Sequence, residues 1–224
     1  PPNARPTPPP LEADTIRIVI IGTALWFAAF VALLPFRGRL ADDGREFWEF
    51  DGARYPQVGL NAVVGRPRDE WTLEPARFDE MRRGCWDVDA RVRDMDLDGV
   101  YASLCFPSLI AGFAGTVFAR TADPDLGLAC LRAWNDWHLD AWVGAHPDRF
   151  IGLQLPWLLD PELAAAEIRK NATRGAKAVS FPEQPVDLGL PSLHTDHWDP
   201  FLRACEETGT VICLHVGSSG MMDM

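Results

Sequence analysis

From Asp87 onward, helix-period segments alternate with continuous apolar runs. VDARVRDMDLD reads as a helix and GVYASLCF as a β-rich run ending at Pro107. Residues 123 to 146 follow as a long amphipathic helix, opened by Asp123-Pro124, closed before Pro147, with Leu131, Trp134, Trp137, His138 and Trp142 on one face. RFIGLQLPW is the next strand. Asp160-Pro161 opens ELAAAEIRKNATR, a helix stopped by Gly175, before the strand AKAVSFPE. Asp199-Pro200, read as an N-cap with proline at the first helical position, opens FLRACEETG, and TVICLHVGSSG is the last apolar run. Helices alternating with fully apolar strands predict βαβ units and a parallel sheet covered on both faces. The fold class is therefore α/β, most economically part of a (β/α)8 TIM-type barrel with four to five β/α units over residues 86–224; a doubly wound sheet is the alternative.

The front of the chain has a different character. Residues 1–15 read as a disordered or polyproline lead with no native-looking start, and residues 16–40 as an apolar segment. Within it, nineteen residues from Ile18 to Phe36 carry no charge, close to the roughly 20 that span a bilayer. Two readings stand: a membrane anchor flanked by Arg17, Arg37 and Arg39, or soluble structure, with a strand at Ile16–Ile21, a turn at Gly22 and then a core helix. Residues 41–85 read as an irregular insertion, with a hairpin around Phe47, Trp48 and Phe50 and turns at Asp43-Gly44 and Asp51-Gly52.

Composition narrows the partners. The chain has 224 residues, 47% of them hydrophobic, enough for a core, and a net charge of −11. Its 21 basic residues are scattered and include only two lysines, Lys170 and Lys177, which argues against nucleic acid. The five cysteines, an odd number, fall at no redox or metal-ligand spacing and read as reduced, packed thiols. A cytoplasmic location follows, with anchoring through residues 18–36 as the alternative.

In (β/α) barrels the chemistry sits at the C-terminal strand ends. His215 ends a strand just before Gly217, Ser218 and Ser219, the placement of a metal ligand or general base; a core histidine bonded to a carbonyl is the equal alternative. Glu183 ends SFPE and would face the same mouth, positioning substrate or hydrogen bonding to it, unless it is a solvated loop carboxylate. Trp157 and Phe106 would line an apolar pocket if they are not core. His194 and His197 flank Asp196 in the loop before a helix. This is more simply a helix start than a metal cluster, although His194 would be within reach of substrate. His138 reads as packing, and His146, at a helix end, as complementing the dipole. No phosphate loop, Gly-x-Ser-x-Gly elbow or Cys-His pair is present.

NDWHLDAWVGAHPDRF, RFIGLQLPWLLDPELAAAEIRK, GAKAVSFPEQP and WDPFLRACEETGTVICLHVGSSG, in this order, resemble the amidohydrolase-related family, whose members include aminocarboxymuconate-semialdehyde decarboxylase and aromatic-acid decarboxylases. The similarity covers roughly residues 44 to 220. It implies a (β/α)8 barrel and a divalent metal, zinc first and manganese second, that polarises water or a substrate oxygen during hydrolysis or non-oxidative decarboxylation of a small-molecule substrate. It also implies ligands from a His-x-His pair on the first strand, a histidine ending the fifth and an aspartate ending the eighth, with a catalytic histidine on the sixth. His215 matches the fifth-strand ligand.

The departures matter equally. IRIVIIGTALWFAAFVALLPFRGRL, where the first strand would stand, contains no histidine, and the chain offers no positions for the sixth-strand histidine or eighth-strand aspartate. One imidazole does not hold zinc tightly. Half a barrel also leaves the His215 strand as an open edge, which a homodimer would cover. Two expectations follow: a metal-dependent hydrolase or carboxy-lyase of a small organic acid or aromatic compound, or a truncated relative that binds no metal and is inactive, a membrane-tethered interaction module if residues 18–36 span a bilayer.

Overall fold

The structure, a computed structural model, describes residues 39–40, 46–56, 63, 66–71, 77–107, 110–215, 217 and 219. The apolar segment 18–36 and the proline-rich lead lie outside them. No described helix is long and apolar enough to cross a membrane.

Two sheets form. The first is antiparallel, with β1 (Arg39–Leu40), β2 (Glu46–Phe50) and β3 (Ala53–Pro56). β2 and β3 make a hairpin closed by Asp51 and Gly52, both at positive φ, which a two-residue turn between twisted strands requires. The second sheet is parallel and runs in chain order: β4 (Ser103–Leu104), β5 (Phe150–Gln154), β6 (Ala176–Pro182) and β7 (Val211–His215). Helices α1 (Val88–Asp98), α2 (Thr116–Ala119), α3 (Pro124–Trp137), α4 (Pro161–Ala172) and α5 (Asp199–Thr208) alternate with these strands. Four parallel strands in sequential order, each joined to the next through helix, are a section of a (β/α) barrel. A doubly wound sheet would need a strand-order reversal, and the described strands have none.

The chain departs from the simple pattern in three places. β4 pairs over only Ser103 and Leu104, a fraction of the apolar run, because its register with β5 covers two residue pairs. The expected single helix over 123–146 is α-helical only to Trp137 and continues as a π-helical turn, His138–Val143. Asp199 is not an N-cap: a 3-10 turn at Asp196–Trp198 runs directly into α5, so Asp199 already has helical dihedrals and Trp198 precedes it. The Trp198 indole N–H instead donates to the Pro191 carbonyl at 2.8 Å and closes the loop before the helix.

Packing fixes the layers. Ala164, Ala165 and Ile168 of α4 and Phe201, Ala204 and Cys205 of α5 press on Val179 and Phe181 of β6, with Trp198 sealing the end. Phe181, Phe201 and Trp198 are fully buried, and each large apolar side chain taken from water stabilises by about 1.5–3 kcal/mol. A second cluster joins Phe50 of the hairpin to Phe118, Leu131, Leu155 and Trp157, which fastens the antiparallel sheet to the barrel section. Among the described residues β7 pairs only with β6, and its Val211 and Leu214 are exposed at 62% and 53%.

Candidate functional site

His215 is the last residue of β7 and is register partner to Pro182, the last residue of β6. Parallel strands bring their C-terminal ends to one side of a sheet, so the loops after β4, β6 and β7 meet there. The loop after β4 contributes Phe106 and Phe113. Phe113 stacks on the His215 ring with centroids 3.9 Å apart and planes within 11°. Phe106 meets the same imidazole edge-on at 5.0 Å.

A strained turn delivers Phe113. Gly112 has φ +67, Gly115 has φ +75, and Ala114 between them has φ +60, a left-handed conformation that costs a non-glycine residue on the order of 1–2 kcal/mol. The Ala114 N–H donates to the hydroxyl of the fully buried Ser180 at 3.1 Å, which ties the turn to β6. The stack covers one face of the imidazole. Its nitrogens bond in the ring plane, so the contact orients the ring without using the edge through which histidine binds a metal or a proton.

The loops after β6 and β7 are joined by Glu183. One oxygen of its carboxylate accepts the Gly217 N–H at 2.8 Å, and the other accepts the Ser219 N–H at 3.2 Å and the Ser219 hydroxyl at 3.0 Å. The same hydroxyl accepts the Gln184 N–H at 2.8 Å.

The remaining expected residues are placed differently. Trp157 is 3% exposed in the cluster with Phe50, Phe118 and Leu131, because the chain after β5 turns inward under the hairpin; it packs there and is not among the rings that meet His215. His194 is exposed on the loop between β6 and α5, its backbone N–H donating to the Ser192 hydroxyl. His197 lies edge-on to Trp198 at 4.8 Å. His146 follows the helical end at Val143, its backbone N–H donating to the Val143 carbonyl, and its ring meets Asp89 in the first turn of α1 at 2.7 Å. His138 is buried against Trp134. Phe113 was not marked by its sequence context, the only hint being the glycines that flank it in GFAG.

None of the cysteines is in a disulfide, and burial pushes the Cys130 and Cys205 thiols up to about 11 and raises that of Cys213, so these three are poor nucleophiles at neutral pH. Among the described residues no three His, Cys, Asp or Glu side chains gather to hold a metal ion. Donors from the described residues alone therefore do not fit a zinc or manganese centre, which needs at least three protein ligands.

The profile of the Amidohydrolase family matches residues 32–224, and the chain belongs to that family. Among solved structures, an amidohydrolase from Mycobacterium avium subsp. paratuberculosis aligns over 81% of this chain and 52% of its own, at 22% identity and a TM-score of 0.58, a likeness of fold. A manganese-bound 5-carboxyvanillate decarboxylase from Novosphingobium aromaticivorans is 26% identical over 56% of this chain and 33% of its own, with a TM-score of 0.45. The 5-carboxyvanillate decarboxylase of Sphingomonas paucimobilis is 27% identical over 66% and 41%, with a TM-score of 0.47. The chain thus spans between a third and about half of the length of these structures.

Proposed function

We propose that the protein works as a metal-dependent member of its family, a hydrolase or non-oxidative carboxy-lyase acting on a small organic acid or aromatic substrate. The observation that carries this reading is His215, which ends a parallel strand on the sheet side where barrels place their chemistry and packs against two phenylalanine rings, one face-on and one edge-on. Phe106 and Phe113 favour a flat, apolar portion of substrate beside it. His194, exposed on the loop after β6, is the proposed contact for a polar substrate group. Zinc is the first candidate metal and manganese the second. Because the described donors do not complete a site, the further ligands would come from a second copy of the chain, which would also cover the edge that β7 presents among the described residues.

One observation favours a second reading, a catalytically silent relative: the absence of any three-ligand group among the described residues. Turnover separates the two. The protein incubated with zinc or with manganese is assayed against aromatic acids for released carbon dioxide and against amides and esters for hydrolysis. Metal-dependent turnover that falls to background in His215→Ala is the expected result. No turnover with either metal across the panel, or turnover that survives His215→Ala, overturns the proposal.

A further inference from the structure

β7 ends at His215, which with its register partner Pro182 forms the last pair of the strand ladder. Beyond it the chain turns, and Gly217 in that turn has φ +87, a conformation that side-chain-bearing residues avoid. The turn directs the N–H groups of Gly217 and Ser219 toward the end of β6, where both reach the Glu183 carboxylate. Hydrogen bonds from N–H groups to an ionised carboxylate are roughly twice as strong as neutral ones. The fastening is also reciprocal. Glu183 binds the backbone after β7, while Ser219, only 1% exposed, returns its hydroxyl to the Glu183 carboxylate and accepts the Gln184 N–H. Because Pro182 and His215 are register partners, this brace begins one residue beyond the pair that carries the imidazole.

We propose that Glu183 is a positioning residue: through Gly217 and Ser219 it fixes the turn after His215 and so keeps the imidazole face-on to Phe113. Its bearing on turnover rests on the proposed role of His215 as a metal ligand, but the positioning itself does not. Functional side chains need orientation to within about 10–20°, which packing and supporting hydrogen bonds around them supply. Glu183 thus does for the loop after β7 what Ser180 does for the loop after β4. Two side chains of β6 and its end fix the two partners of the histidine–phenylalanine stack.

The test is the NMR signature of the His215 ring in metal-free, isotopically labelled protein. A ring proton near the face of Phe113 is displaced upfield, and the displacement reports the stack directly. Glu183→Gln preserves size but sets an amide NH2 against a backbone N–H. It is expected to abolish the His215 displacement and shift the Gly217 and Ser219 amides, with the core methyls of Leu153 and Val179 unmoved. Partial recovery of the displacement in Glu183→Asp, which keeps the charge, supports the same assignment. Unchanged His215 signals alongside shifted Gly217 and Ser219 amides overturn it. Should Glu183→Gln fail to fold, Ser219→Ala removes the hydroxyl link alone and is expected to weaken the displacement; an unchanged displacement there overturns the proposal. Since no metal is present, this result and the metal-dependent turnover stand or fall separately.

Discussion

At the scale of single residues, His138 has the most perturbed environment among the described histidines. It sits where α3 gives way to the π-helical turn, is 2% exposed, stacks on Trp134 at 4.8 Å, and its Nε2 has no hydrogen-bond partner. Burial penalises the imidazolium and lowers its pKa to about 4 from the ordinary 6.5. The folded state therefore binds the proton less readily than the unfolded chain. Stability from this residue is complete above pH 6.5 and is lost as pH falls from 6.5 toward 4, by about 3 kcal/mol in all. Urea unfolding at pH 7 and pH 4.5 is expected to show a smaller pH effect in His138→Phe than in the parent; equal losses in the two would refute the assignment. Glu183 and Phe113 show the same dependence of chemistry on surroundings, since each matters through what it does to a neighbouring backbone or ring.

At the scale of elements, the Asp-Pro pairs account for much of what the sequence made legible. Asp123 and Asp160 cap α3 and α4, each carboxylate accepting two backbone N–H groups of the first turn, with proline at the start of the helix. Asp160→Ala leaves the Glu162 and Leu163 N–H groups without that acceptor and is expected to cost about 1 kcal/mol in denaturant unfolding, while Asp160→Asn costs much less. The same dipeptide at Asp199-Pro200 behaves otherwise because the preceding 3-10 turn already supplies helical geometry, and that depends on Trp198 finding the Pro191 carbonyl. Strand order was legible from the helix–strand alternation, as were the places of His215 at the end of β7 and of Glu183 just past the end of β6. Phe113 was not, because its position depends on a left-handed turn tied to Ser180, 66 residues away from Ala114 in sequence. Trp157 looked like a mouth residue by the same strand-end rule, but the hairpin packs Phe50 into the cluster that encloses it, a contact no local pattern records. The end of α3 was obscured for a similar reason. Its apolar face continues through Trp142, while the backbone widens to a π turn as Leu139 and Val143 pack toward the sheet.

At the scale of the whole molecule, the charge of −11 opposes the capture of an organic anion, so an acidic substrate requires a local positive centre at the strand ends. A divalent cation held in part by His215 is that centre in the proposed function. The parallel sheet delivers the imidazole, the loop after β4 delivers its aromatic partners, and the family membership of residues 32–224 gives the arrangement its chemical context. The most direct test is elemental analysis of the protein after incubation with zinc or manganese and removal of the excess, run beside His215→Ala. Stoichiometric metal in the parent and background in the variant is the expected result. Equal metal in the two, or background in both, would contradict His215 as a ligand.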